Sequence, residues 1–114
     1  MTITLPMLPI SQNTNEWRSR WTRIKYLSEW RRDSFILIKE AQLTPMNQVR
    51  LSAVVYFPDR RKRDLDNYHA PIFKGLCDAL VNAGVIPDDE TRYIPELPGL
   101  RFDCDKGNPR TEIV

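Results

Sequence analysis

Val54-Val55-Tyr56-Phe57-Pro58-Asp59-Arg60-Arg61-Lys62-Arg63-Asp64-Leu65-Asp66-Asn67 runs from an apolar, strand-like segment through a cluster of charge toward a helix-like segment. Its last nine residues carry four cations and three carboxylates, with Asp64 and Asp66 two apart. In an extended chain residues two apart point the same way, so the two are expected to converge at a strand end. Paired carboxylates repel, and a hard divalent cation such as Mg²⁺ relieves that repulsion while also engaging phosphate. Arg60, Arg61, Lys62 and Arg63 attract a polyanion. Metal together with a phosphate backbone points to a nuclease. The same charges also suit a solvated loop in which Asp64 or Asp66 caps the next helix, and charge alone leaves both readings open.

Working outward, Arg60 to Asn67 is followed by Asp78-Ala79-Leu80, Ala83-Gly84 and Asp88-Asp89, with a weaker echo upstream in Pro9-Ile10-Ser11-Gln12-Asn13. This set resembles the RusA family of Holliday-junction resolvases, small dimeric Mg²⁺-dependent endonucleases often carried by phages and prophages. The resemblance implies a homodimer and branched DNA, the four-way junction, as partner in recombination and repair. It implies Mg²⁺ held by Asp64, Asp66 and Asp89, with Mn²⁺ as a substitute. Asp88 is then a helper or turn former, and Asn67 fixes the Asp64–Asp66 turn. The family pattern has a lysine four residues after the second aspartate, where this chain has Ala70. Lys74, four before Asp78, is the nearest substitute, which implies an extra helical turn between Asn67 and Lys74. With Pro71 opening the regular helix after a separate turn, Lys74 would come back toward the carboxylates as a catalytic residue.

The chain has 114 residues and is expected to form one domain, 1–114, with a modest core. No run is apolar enough to span a membrane and the N-terminus lacks a signal-peptide pattern, so a cytoplasmic protein is expected, in a bacterial cell or a phage-infected host. Cys77 and Cys104 have no metal-ligand spacing, and His69 is the single histidine. Both thiols are read as reduced core fillers. Net charge is only +2, but six bases and one acid lie between Trp17 and Arg32. Basic charge gathered in two places suits nucleic acid.

Thr2 to Leu5 reads as a short strand. Ser11 to Ser28 reads as a long loop in which Trp17, Trp21 and Tyr26 alternate with Arg18, Arg20, Arg23 and Lys25, cations for phosphates and rings for unstacked bases. The aromatics equally suit a role covering the core. Ser28 is the expected N-cap of a helix from about Glu29 to Gln42, which would put Arg31 and Arg32 against the helix dipole. Gln48 to Phe57 is the best strand, expected to be central and partly covered on both sides. Ile72, Phe73, Leu76, Ala79, Leu80 and Ala83 form the apolar stripe of a second helix ended by Gly84. A strand at Arg92 to Leu97, another at Leu100 to Cys104, a hairpin turn at Asp105 to Asn108 and a last strand from Arg110 complete the pattern.

The expected fold is therefore α+β, a small mixed sheet with two principal helices packed on it. The expected function is a structure-selective endodeoxyribonuclease that resolves four-way junctions by paired nicks. The alternatives are a non-catalytic DNA-binding module of the same fold, or a metal-dependent nuclease acting on flaps or RNA.

Overall fold

The computed structural model describes residues 2–114, in the order β1 (Ile3–Leu5), α1 (Asn15–Arg18), α2 (Arg20–Glu40), β2 (Ser52–Phe57), α3 (Asp66–Asn82), β3 (Gly99–Cys104) and β4 (Arg110–Ile113). The four strands form one mixed sheet ordered β1-β4-β2-β3, the α+β architecture expected. β2 is internal, parallel to β3 and antiparallel to β4. Because β1 is also antiparallel to β4, β1 and β2 run the same way. Parallel strands need long crossovers. Here α2 links β1 to β2, and α3 with the irregular segment after it links β2 to β3.

Alternation along β2 buries Ala53, Val55 and Phe57 and leaves Ser52, Val54 and Tyr56 half-covered. The buried set joins Leu5 and Ile113 from the neighbouring strands, Trp30 and Ile38 of α2, and Ile72, Phe73, Leu76, Ala79 and Leu80 of α3. On the opposite face Arg110 lies across from Tyr56, with its guanidinium 4.0 Å from the ring centroid and bonded to Asp105 and Glu112. β2 is thus central and partly covered on both sides, as its composition indicates, but it begins at Ser52 and not at Gln48.

α2 and α3 pack closely because small residues meet at the crossing. A Cβ on Gly75 would lie 3.2 Å from Trp30 Cδ1 and 3.3 Å from the Arg31 backbone nitrogen. Ser34 is another small side chain of α2 that is fully buried. Two hydrogen bonds join the helices: Trp30 Nε1 donates to the Ile72 carbonyl at 2.9 Å and the Tyr26 hydroxyl to that of Pro71 at 2.7 Å. α3 ends in a Schellman motif, with Val85 N–H on Leu80 C=O and Gly84 at φ 78° in the left-handed region.

Four expectations change. Residues 15–18 and 20–28 are helical, not a loop, and α2 begins at Arg20 with Ser28 inside it. Thr14 starts the run: its side chain accepts from Trp17 N–H and donates to the Ser11 carbonyl. Tyr26, Trp30, Ser34 and Ile38, spaced by four, then carry the buried stripe. Arg31 and Arg32 are mid-helix, and the cations in the first turn are Arg20 and Arg23, with no acid beside them. Residues 92–97 form turns and not a strand, because Pro95 and Pro98 cannot donate ladder bonds and Tyr93 and Ile94 both bond back to Glu90. Asp105 to Asn108 does turn, but β3 and β4 are not a hairpin, since β2 lies between them. Finally, α3 runs from Asp66 through Pro71 without a break, so no separate turn precedes it.

Candidate nucleic-acid interface and active site

The end of β2 delivers the chain into a loop organised by Asp59. Its carboxylate accepts the Arg61 N–H at 3.0 Å and Arg63 Nη2 at 2.8 Å, and these bonds hold it below the usual carboxylate range. Arg63 is the anchor of the turn. Its side chain is only 13% exposed, stacks 3.8 Å from the Phe57 ring centroid, and also donates to the Arg61 carbonyl. Of the four successive cations, Arg63 therefore faces inward and Arg60, Arg61 and Lys62 face solvent. Arg61 keeps a loose 3.6 Å contact with Asp59.

Pro71 explains how the N-terminal echo enters the site. Lacking an N–H, it leaves the Asn67 carbonyl without its intrahelical partner. The Gln12 backbone N–H donates to that carbonyl at 2.9 Å. Residues 8–14 are thereby held against the start of α3. A polar groove of about 510 Å³ results, whose lining includes Ser11, Asn13, Arg61, Lys62, Asp64 and Asn67.

Asp64 and Asp66 are exposed, and neither caps α3: the N-cap is Leu65, with no side-chain cap bond. Leu65 is itself helical, at φ −56° and ψ −41°, so the two aspartates bracket a helical and not an extended residue. The expected convergence through an extended chain is corrected accordingly. Asp64 lines the polar groove. Asp66 begins the face of α3 that continues through Ala70 and Cys77 by helical spacing. The Asn67 backbone N–H donates to the Asp64 carbonyl at 3.2 Å.

That second face borders another groove, about 410 Å³, whose lining includes His69, Lys74, Cys77 and Asp89. Asp88 accepts the Asp89 N–H at 2.8 Å. Burial, with smaller contributions from Asp89 and Asp78, pushes the Cys77 thiol up to about 11. Lys74 lies eight residues beyond Asp66 in an unbroken helix, about 12 Å along its axis. The expectation that an inserted turn brings Lys74 back to Asp64 and Asp66 is overturned; Lys74 shares its groove with Asp89. Among the described residues, no three His, Cys, Asp or Glu side chains gather as a metal-holding group. None of Asp64, Asp66 and Asp89 carries an ion pair among those residues, although cations surround the first two in sequence.

The α1–α2 cations divide in the same way. Arg18 donates to the Asn13 side chain at 3.0 Å and Arg23 to the Trp17 carbonyl at 3.2 Å, so both brace local structure. Arg20 and Lys25 are exposed. Trp17 and Tyr26 stack edge-on at 6.1 Å, and Tyr26 continues to buried Trp30 at 5.5 Å. Trp21 stands apart, 78% exposed.

Residues 6–114 match the family described as endodeoxyribonuclease RusA. The chain belongs to that family. It is also similar to the crossover junction endodeoxyribonuclease rusA of Enterobacteria phage HK97, 38% identical over 88 residues, which cover 72% of this chain and 68% of that protein. Membership makes this a nuclease fold. The Pro9 to Asn13 echo of the RusA pattern acquires its place here, as the outer wall of the groove beside Asp64. Ser11 and Asn13 are the polar groups that sequence reasoning left unassigned, and that echo is the signal that could have found them. No helix among the described residues is long and apolar enough to cross a membrane.

Proposed function

We propose that the chain is a metal-dependent, structure-selective endodeoxyribonuclease that resolves four-way DNA junctions by paired nicks, acting in recombination and repair in the cytoplasm of a bacterial or phage-infected cell. One observation carries the proposal: two exposed aspartates, neither capping nor ion-paired, stand at the start of α3 beside Arg60, Arg61 and Lys62. Carboxylates left unpaired among cations are oxygen donors open to a hard divalent ion. Asp64 and Asp66 are the residues that would hold Mg²⁺, or Mn²⁺ in its place, and the ion would supply a polarised phosphate and a water of lowered pKa. The fit within one chain is partial, because Asp89 lies in the neighbouring groove with Lys74, and no step joins the two grooves.

The chain's own residues bind and orient. Arg60, Arg61 and Lys62 grip phosphates around the polar groove, with Arg20 and Lys25 extending the basic track. Arg63 holds the loop that presents them. Lys74 meets a phosphate entering the second groove, beside Asp89. The active form is a homodimer: a four-way junction has two-fold symmetry, and paired nicks in opposed strands need two equivalent sites.

A non-catalytic DNA-binding module of the same fold is the second reading, and the separation of Asp89 and Lys74 from Asp64 favours it. The test is a cleavage panel with and without Mg²⁺, comparing a four-way junction with linear duplex, flap and RNA. Junction cleavage that needs the metal supports the proposal. Binding without cleavage at any metal concentration selects the second reading, and preferential cutting of flap or RNA changes the substrate.

A further inference from the structure

Trp21 is the largest exposed apolar side chain that sits within a basic surface. It is 78% exposed, while the other aromatics of this region are engaged: Trp17 against Tyr26, and Tyr26 against Trp30. The Arg20 guanidinium lies 5.9 Å from its ring centroid, at the edge of cation–π range. Lys25 is one turn along, and Ile24, 46% exposed, continues the apolar strip. The first turn of α2 holds no acid to offset these cations.

The position relative to the proposed site is as informative as the exposure. Asn13 and Thr14 line the polar groove with Arg61, Lys62 and Asp64. Asn13 is bonded by Arg18, and Thr14 caps α1, whose last residue is two before Arg20. The chain therefore leads from the wall of the groove that Asp64 lines, through the short helix α1, to the start of α2, where Arg20 and the exposed Trp21 stand. A phosphate backbone following those cations brings its bases to Trp21. A paired base within duplex offers an indole no open face, whereas an unpaired base at a branch point does. Base–aromatic stacking suits any base, because each has a π-face.

We propose that Trp21 is a substrate-selecting contact that stacks on a base left unpaired at the branch of the DNA. The proposal rests on the junction-cleaving reading above and adds the group that separates branched DNA from linear duplex. Charge decides the occupant: cations flanking a flat ring complement a polyanion with exposed bases better than an apolar protein surface.

The test uses the full chain and a four-way junction carrying 2-aminopurine at the exchange point, with a matched linear duplex. Trp21→Ala is expected to weaken junction binding roughly tenfold, the size of one lost stack, with less than a twofold change on duplex. It should also lose the fluorescence change of 2-aminopurine, and Trp21→Phe should restore most of both effects. Wild-type junction preference in Trp21→Ala would overturn the proposal, as would an equal loss on junction and duplex. Sedimentation velocity supplies a third arm: a dimer-to-monomer change in Trp21→Ala would make this face a subunit contact and not a base contact. Failure of the wild-type chain to bind junctions would instead refute the functional reading itself.

Discussion

Gly75→Ala tests the packing that sets α3 against α2. In an open helix the change stabilises by about 1 kcal/mol through propensity alone. Here the new methyl would sit 3.2 Å from Trp30 Cδ1, 3.3 Å from Arg31 N and 3.5 Å from Arg31 Cα. Trp30 is fully buried and tied through Nε1 to the Ile72 carbonyl, so its ring cannot swing aside without losing that bond. The other two contacts are backbone, and relieving them means parting the helices. Overpacking of this kind costs about 1–3 kcal/mol, so the net expectation is a loss of roughly 1 kcal/mol despite better propensity. Urea unfolding followed by far-UV circular dichroism measures it, and the thermal midpoint should fall by about 4–8 °C. An increase in stability of about 1 kcal/mol would refute the close crossing of α2 and α3.

Cys77 should resist alkylation at neutral pH and react as pH approaches 11, because burial and then Asp89 and Asp78 hold its thiol neutral; mass spectrometry of iodoacetamide adducts across pH reads this. Its folded pKa lies above the ordinary thiol value of 9.0, so its contribution to stability is present below pH 9 and lost as pH rises through 11, which pH-dependent urea midpoints would detect. Replacing Arg20 and Lys25 together by Ala should reduce the log–log salt slope of junction binding by roughly two, whereas Arg18 and Arg23, held in local bonds, should change it less. Lys74→Ala and Asp89→Asn should be non-additive in junction affinity because the two line one groove, while Lys74→Ala with Asp64→Asn should combine independently; a double-mutant cycle with the reverse pattern would place Lys74 with the first pair.

The architecture was legible where one physical signal dominated. Alternation identified β2 as a central strand, and the stripe from Ile72 to Leu80 with Gly84 behind it identified most of α3. Residues 15–28 were misread because cations and aromatics mask a spacing of four, Tyr26, Trp30, Ser34 and Ile38, whose third member is a buried serine. Pro71 was expected to open its helix, since local rules penalise it inside one. What sustains it there is a long-range contact, Gln12 N–H on the orphaned Asn67 carbonyl, which no local pattern reveals. The strand pairing was hidden for a similar reason: Asp105 to Asn108 has hairpin composition, yet β2 takes both neighbours.

At the proposed site, the family pattern points to the aspartates and the basic loop, while side-chain partners distinguish Arg63 from its neighbours. Arg63 could not be separated from Arg60, Arg61 and Lys62 by sequence, because its distinction is a ring beneath it and Asp59 beside it. Convergence of Asp64 and Asp66 through an extended backbone is the route their spacing suggests; the residue between them, Leu65, is helical instead. The distance of Lys74 from Asp66 follows from the unbroken α3, and depends on the tertiary contact that accommodates Pro71.

The most direct test is single-turnover cleavage of an end-labelled four-way junction in Mg²⁺ by the wild-type chain, Asp64→Asn and Asp66→Asn, with junction affinity measured alongside in Ca²⁺. Exposed, unpaired carboxylates that hold the metal predict that each variant loses cleavage while binding the junction at least as tightly, since a negative charge near phosphate has been removed. Wild-type cleavage rates in both variants would contradict the account.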